Sequence, residues 1–455
     1  MKIIIGNKRV LFKDLSMLGY RQWLRGLRTS PEVVAALEKY NIPEYDESLN
    51  MEIGAANAPA DPQKIIDLAA AGFTVLLPDN GQMNFSSDPQ GALLYLNRAH
   101  QAGIKVVLND SGFCHSVWDS ALGGSTQYDA PVKDNVHIYK NHPAFYGISI
   151  ADEPQVCQFK MQKQKFDDFK AEFQGKLGMM NICPYRKKFY ESYVDEYMRT
   201  IQPQLLSYND YAILDPARKG GITVRIEFFK FMAFIKAKAV QYGVPAHIYI
   251  LTVGHKGESW YRNPSQEELR WQVAALMTYG YEAFSHFNTA PSDETYSSLW
   301  ENNGAVNYLY RNVQTVNCEV HKWAYVYMSF CKHWKGVIPI VGEHRDPGVL
   351  FEMINNAKLS LVDVEGVKNI ISNQNLLLGV FEDGNKNKGF MITNAANPFY
   401  KIAAKVTIEF DSAYKGLLAF EFGEPRIYNL NDGKITLELE AGEGRFLIPL
   451  MRKNK

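Results

Sequence analysis

The sharpest chemical feature of the sequence is a pair of adjacent carboxylic acids, Asp152 and Glu153, followed by Pro154. The pair comes directly after the apolar run 145–150. A carboxylic acid at the end of a buried strand is partly desolvated, so it can act as a general acid toward a leaving-group oxygen. The alternative is structural, with one of the two acids capping a helix whose first turn contains the proline.

Other polar side chains follow short apolar runs in the same way. They are Asn57, Asp79, Asn80, Asn109, Asp110, Asn181, Tyr185, Asn209, Asp210, Tyr211, His255, Glu258, His286 and Asn288. This concentration of acids, amides and rings favours one shared site over the alternative that loops are simply polar. Trp260 and Tyr211 could stack on sugar rings. No HExxH or similar pairing accompanies the histidines, so we expect hydrogen-bonding roles for them and predict no metal or other cofactor.

These polar positions alternate with strand-length and helix-length segments between residues 50 and 334. The predicted strands are 51–56, 73–77, 105–108, 145–150, 179–182, 205–208, 247–251 and 281–285. Eight strand–helix units predict a closed (β/α)8 barrel, in which active sites lie at the C-terminal ends of the strands. The alternative is an open doubly wound sheet, but the sequence has no glycine-rich phosphate loop after the first predicted strand.

The texture of the sequence changes after Trp334, where short apolar runs recur at the spacing of a β-sandwich. These runs are 349–353, 376–381, 390–393, 405–410, 417–422, 435–439 and 445–449. We therefore predict three parts: an N-terminal helical extension (1–48, helical around 15–40), a catalytic barrel (49–335) and an all-β sandwich (336–455).

Composition excludes several classes of protein. The 49 basic and 49 acidic residues balance, which argues against a nucleic-acid-binding protein. No apolar run is long enough to cross a membrane. Five scattered cysteines predict neither a disulfide framework nor a zinc site. We expect a cytoplasmic protein if the N-terminus is native, and a periplasmic or secreted one if a leader was removed.

Three segments resemble (β/α)8 glycoside hydrolases related to clan A. Residues 142–154, ending in Asp-Glu-Pro, resemble the fourth-strand segment that carries the acid/base glutamate of retaining members. Residues 262–287 look like the seventh helix and eighth strand of that group, and residues 442–447 like the last strands of its C-terminal sandwich. The resemblance implies a glycoside hydrolase acting on a carbohydrate substrate, with Glu153 as the general acid.

The second carboxylate is less clear from the sequence. Clan A enzymes carry a nucleophilic glutamate at the end of strand seven, where this chain has His255 and reaches Glu258 only in the loop. Asp210 and Asp110 are further candidates, and Asp152 could instead work with Glu153 as a pair, as in substrate-assisted β-hexosaminidases. We expect a retaining hydrolase; the alternatives are a carbohydrate-binding protein that lacks the second carboxylate and a different barrel enzyme, such as a lyase or aldolase.

Overall fold

The structure is a computed structural model. It describes residues 4–5, 8–9, 39–46, 48–78, 85–114, 116–119, 124–128, 131–184, 188–256, 260–291, 293–344 and 359–453. Most of the predicted N-terminal helix, like the predicted strand 349–353, lies outside these residues and stays a prediction. Near the N-terminus, Ile4–Ile5 pairs with Lys8–Arg9 in a short antiparallel ladder.

Eight parallel strands close into a barrel, which confirms the predicted fold class. In chain order, and numbered one to eight below, they are Glu52–Ala58, Val75–Pro78, Lys105–Leu108, Phe145–Asp152, Leu177–Ile182, Leu206–Asn209, Ala246–Leu251 and Ala283–Phe287. Each strand pairs with the next, and strand eight pairs with strand one. All eight C-terminal ends therefore meet at one rim.

Helices surround the barrel. Their bounds are Pro62–Ala70, Pro89–Gln101, Val136–Tyr139, Phe159–Glu172, Tyr190–Ile201, Phe228–Tyr242, Gln266–Thr278, Tyr308–His321 and Ala324–Cys331. Local sequence sets where they begin: Asp61 accepts hydrogen bonds from two backbone N–H groups of the first helix, and Ser265 forms a capping box with Glu268. The region 306–334 contains the last two of these helices, and a strand begins at its final residue.

A two-sheet sandwich follows the barrel, again as predicted. Its six-stranded sheet has the order Trp334–Ile340, Leu376–Glu382, Lys388–Asn394, Gly444–Met451, Tyr414–Glu421 and Glu424–Asn429. The three-stranded sheet has the order Val367–Ser372, Ala404–Phe410 and Lys434–Leu439. The strand Trp334–Ile340 crosses the boundary between barrel and sandwich that was predicted at residue 335, so that exact division stays a prediction.

The sandwich packs on the helix Gln266–Thr278. The hydroxyl groups of Thr278 and Thr393 lie 2.7 Å apart across the contact. At Gly442 a Cβ atom would lie 2.1 Å from the backbone oxygen of Glu267, so only glycine permits this approach. The sandwich therefore supports the helix behind strands seven and eight.

No helix in the described part of the chain is long and apolar enough to cross a membrane.

Candidate active site

A cavity of about 420 Å³ opens at the rim formed by the C-terminal ends of the barrel strands. Its lining residues are Ala56, Asn57, Leu77, Pro78, Val107, Asn109, Ser149, Ala151, Asp152, Glu153, Met179, Asn181, Asn209, Tyr211, Tyr249, His255, Phe287 and Tyr296. This is the rim at which barrel enzymes bind and transform their substrates. The wall combines two carboxylates, several amides and aromatic rings.

The two carboxylates lie side by side at the end of strand four. Asp152 is the last residue of the strand, and the chain turns at Glu153, whose φ of 45° lies in the left-handed region. Its backbone N–H donates to the carbonyl of Asn181 on strand five at 2.8 Å. An observed positive φ in a residue other than glycine often marks a functional position.

Neither acid acts as a helix cap. The short 3-10 helix that follows is capped by Gln155, and the α-helix after it begins beyond Gln158. The structural alternative for Asp152 and Glu153 is therefore wrong.

Two asparagines orient the carboxylates. The side-chain amide of Asn209 donates to Oε1 of Glu153 at 3.2 Å. The amide of Asn181 donates to Oδ1 of Asp152 at 3.0 Å and to Oδ1 of Asn209 at 3.2 Å. Asn209 is almost completely buried, with 4% of its surface exposed. A buried donor of this kind fixes the direction in which a carboxylate presents its oxygens.

Aromatic rings form the opposite wall. Tyr211 stacks on Phe287 with ring centroids 5.0 Å apart, and His255 packs edge-on against Tyr296 at 4.8 Å. Burial raises the pKa of Tyr249 above its ordinary value, so its hydroxyl stays protonated. Flat apolar faces beside hydrogen-bonding groups suit a sugar ring, which has apolar C–H faces and polar edges.

Eight of the residues predicted for the site line this cavity: Asn57, Asn109, Asp152, Glu153, Asn181, Asn209, Tyr211 and His255. Asp79 and Glu258 lie outside the described residues, so their placement stays a prediction.

Asp110 does not line the cavity. Its carboxylate accepts hydrogen bonds from the Tyr139 hydroxyl at 2.7 Å, from the hydroxyl of Ser86 and from the backbone N–H groups of Gly112 and Phe113. It therefore holds the loop after strand three in shape and lies outside the cavity, although the sequence placed it in the shared site.

Asp210 is also outside the cavity lining, although it directly follows Asn209. It is completely buried and forms an ion pair with Arg225. Burial raises its pKa to about 6, while the guanidinium of Arg225 acts in the opposite direction. This position suits a structural ion pair better than the catalytic role considered from the sequence.

His286 and Trp260 both lie outside the cavity, where they cannot contact a substrate bound in it. His286 is fully buried between Thr252, at 2.7 Å, and Asn317, at 2.9 Å, and burial lowers its pKa to about 4. Trp260 is 53% exposed, and the ammonium of Lys219 lies 3.1 Å from the centre of its ring. Neither lines the cavity.

Three aromatic lining residues, Tyr249, Phe287 and Tyr296, were not predicted from the sequence. Tyr249 lies within strand seven, two residues after His247, and alternation along the strand could have placed both toward the barrel axis. Phe287, at the end of strand eight, could have been found in the same way. Tyr296 comes from the loop after strand eight and carried no recognisable signal.

No group of three His, Cys, Asp or Glu side chains in the described ranges is arranged to hold a metal ion.

Comparison with known proteins gives likeness of fold only. No family model matches the chain, and no curated protein sequence matches it. A candidate α-galactosidase/melibiase from Bacteroides fragilis NCTC 9343 has a TM-score of 0.51 at 10% identity, covering 90% of this chain and 81% of that protein. A glycoside hydrolase family 5 protein from Bacteroides vulgatus ATCC 8482 has a TM-score of 0.50 at 10% identity, with coverage of 88% and 89%.

A β-galactosidase from Marinomonas ef1 has a TM-score of 0.43 at 11% identity, and the chain spans 59% of its length. The α-galactosidase/melibiase candidate and the family 5 protein therefore share the fold of this chain, and the likeness is one of fold alone.

Proposed function

We propose that this protein is a retaining glycoside hydrolase and that Glu153 is its general acid. The observation that carries the proposal is the position of Glu153: it lies at the end of strand four, in the rim cavity, with Asn209 bonded to one carboxylate oxygen. A carboxylic acid there can protonate a glycosidic oxygen as the bond to the sugar breaks. The aromatic rings across the cavity would hold the sugar.

The second carboxylate of the reaction has two candidates. Glu258 follows strand seven, whose end in related barrels carries the nucleophile. Asp152 is the neighbouring acid, oriented by Asn181, and it would suit a reaction in which a group of the substrate itself attacks the sugar. The two differ in one testable respect, because only a nucleophilic Glu258 would form a covalent glycosyl-enzyme bond.

The test is a screen of aryl glycosides and oligosaccharides with the wild type and the Glu153→Gln variant side by side. We expect hydrolysis of at least one sugar with retained anomeric configuration, and loss of most of that turnover in the variant. Trapping with a 2-fluoro glycoside, with Glu258→Gln and Asp152→Asn as matched variants, then assigns the second carboxylate. An inverted product would contradict the retaining mechanism.

A carbohydrate-binding protein is the second candidate function. It is favoured by one observation: among the described residues that line the cavity, the carboxylates are the adjacent pair Asp152 and Glu153. Adjacent residues of this kind do not by themselves flank a scissile bond. Binding of a sugar without turnover, unchanged in Glu153→Gln, would support this function over hydrolysis.

A further inference from the structure

A chain of hydrogen bonds passes through the barrel interior below the cavity. It joins strands eight, seven, six and five to the two carboxylates. Its links are Ser285 Oγ to His247 Nε2 (2.8 Å), His247 Nδ1 to Ser207 Oγ (2.8 Å), Ser207 Oγ to Asn181 Oδ1 (3.1 Å), Asn181 Nδ2 to Asp152 Oδ1 (3.0 Å) and Asn209 Oδ1 (3.2 Å), and Asn209 Nδ2 to Glu153 Oε1 (3.2 Å).

The carboxylates determine the direction of these bonds. An ionised carboxylate only accepts hydrogen bonds, and in a protonated one the carbonyl oxygen still accepts, so the amide nitrogen of Asn181 faces Asp152 and the amide nitrogen of Asn209 faces Oε1 of Glu153. The two hydrogens of the Asn181 amide then serve Asp152 and Asn209, and its oxygen is left facing Ser207. The two carboxylates thus require the same orientation of Asn181 independently.

This direction extends to the histidine. Ser207 has one hydroxyl hydrogen and gives it to Asn181, so its oxygen must accept from Nδ1 of His247. The other ring nitrogen, Nε2, then accepts from the hydroxyl of Ser285. Burial lowers the pKa of His247 to about 3, so the ring is neutral and has one proton to place. The geometry places that proton on Nδ1.

We propose that His247 is a positioning residue, which through Ser207 and Asn181 aims the two asparagine amides at Asp152 and Glu153. The role in catalysis rests on the proposed glycoside hydrolase function. Without a donor at Nδ1, the Ser207 hydroxyl is free to turn, and the Asn181 amide loses one of the three contacts that favour this orientation over its flipped form. A flipped amide would present oxygen to a carboxylate, and Glu153 would lose its fixed direction.

Two substitutions of similar polarity separate this role from a merely structural one. In His247→Asn the amide nitrogen can replace Nδ1 and donate to Ser207, whereas in His247→Gln it reaches the position of Nε2, beside Ser285. We expect His247→Asn to keep kcat within about threefold, and His247→Gln to lower kcat by roughly 10- to 100-fold with little change in KM. His321→Asn is the control, because His321 is a buried histidine that takes no part in this series of hydrogen bonds. Its Nε2 instead hydrogen-bonds the carbonyl oxygen of Gly72.

Nitrogen-15 NMR of the histidine rings and asparagine amides supplies a readout that does not need turnover. We expect a protonated Nδ1 and an unprotonated Nε2 for His247. We also expect an Asn209 amide signal that is shifted in the wild type and His247→Asn and returns to that of a free amide in His247→Gln. A proton on Nε2, or equal effects of the two substitutions, would overturn the proposal. If the wild type hydrolyses no sugar, the proposed function fails, and the NMR result still decides the positioning role.

Discussion

Asn209 on strand six donates a hydrogen bond to Oε1 of Glu153, which follows strand four, across a distance of 3.2 Å. Strand five lies between them, and its penultimate residue is Asn181, whose amide contacts Asn209 and Asp152. Three consecutive barrel strands thus converge on the adjacent carboxylates. This arrangement gives Glu153 a fixed oxygen to present and leaves the carboxylate pair at the cavity wall.

The first prediction concerns that amide. Asn209→Ala removes the donor to Glu153, and we expect kcat on a confirmed glycoside to fall by roughly 10- to 100-fold because the acid is no longer held in one direction. Gln204→Ala is a suitable control. In the described contacts, the Gln204 side chain hydrogen-bonds backbone groups of Lys176 and Gly178, which lie at the opposite end of the barrel. Steady-state kinetics of the two variants test this. An unaffected kcat in Asn209→Ala would contradict the orienting role.

The second prediction concerns Asp210. Asp210→Asn removes the buried carboxylate that pairs with Arg225, so we expect the free energy of unfolding in urea to fall by roughly 3–5 kcal/mol. The double variant Asp210→Asn with Arg225→Met should recover much of that loss. The kcat of the folded variant should stay within about threefold, because Asp210 does not line the cavity. Full stability with abolished turnover would instead make Asp210 catalytic.

The third prediction concerns pH and His286. Its pKa is lowered to about 4 in the folded state, below the ordinary value near 6.5, so the unfolded chain binds a proton at a pH where the folded chain does not. This contribution to stability is present above about pH 6.5 and is lost as the pH falls toward 4. Between pH 7 and 5.5 we expect the wild type to lose about 1.3 kcal/mol more unfolding free energy than His286→Gln. Urea titrations at both pH values measure this, and equal losses would contradict it.

The fourth prediction concerns the aromatic wall. Tyr211→Ala removes a ring that stacks on Phe287 and lines the cavity, so we expect KM for a sugar substrate to rise by roughly 5- to 10-fold. Tyr400→Ala is the control, because Tyr400 lies 58% exposed on the sandwich. If Tyr211→Ala changes kcat alone, the ring does not bind the substrate as proposed.

Much of the fold could be predicted from the sequence, because parallel strands buried on both faces appear as short apolar runs separated by amphipathic helices. Strand three is observed at the predicted residues, Lys105–Leu108. Strand eight is displaced by two residues from its predicted bounds, to Ala283–Phe287. Strand eight mixes apolar and polar residues without regular alternation, so the sequence does not fix its ends.

The alternating direction of side chains along a strand explains why sequence position alone could not tell which of two neighbouring polar residues lines the cavity. Successive residues at a strand end point in opposite directions, one toward the barrel axis and one toward the helices. Asn109 lines the cavity and Asp110 does not, and the same holds for Asn209 and Asp210. The sequence indicated the right strand ends. Which of two neighbouring residues lines the cavity depended on the direction in which the last residue of each strand points.

The most direct test of the central claim is the dependence of turnover on the leaving group in Glu153→Gln. We expect its kcat/KM to fall by roughly 10²- to 10⁴-fold for a natural glycoside, whose leaving oxygen needs a proton. The loss should be much smaller for a dinitrophenyl glycoside, whose leaving group departs without protonation. The free energy of unfolding should change by at most about 1 kcal/mol, since the amide is isosteric and lies at the cavity wall. Full turnover of a natural substrate by Glu153→Gln would contradict the assignment of Glu153 as the general acid.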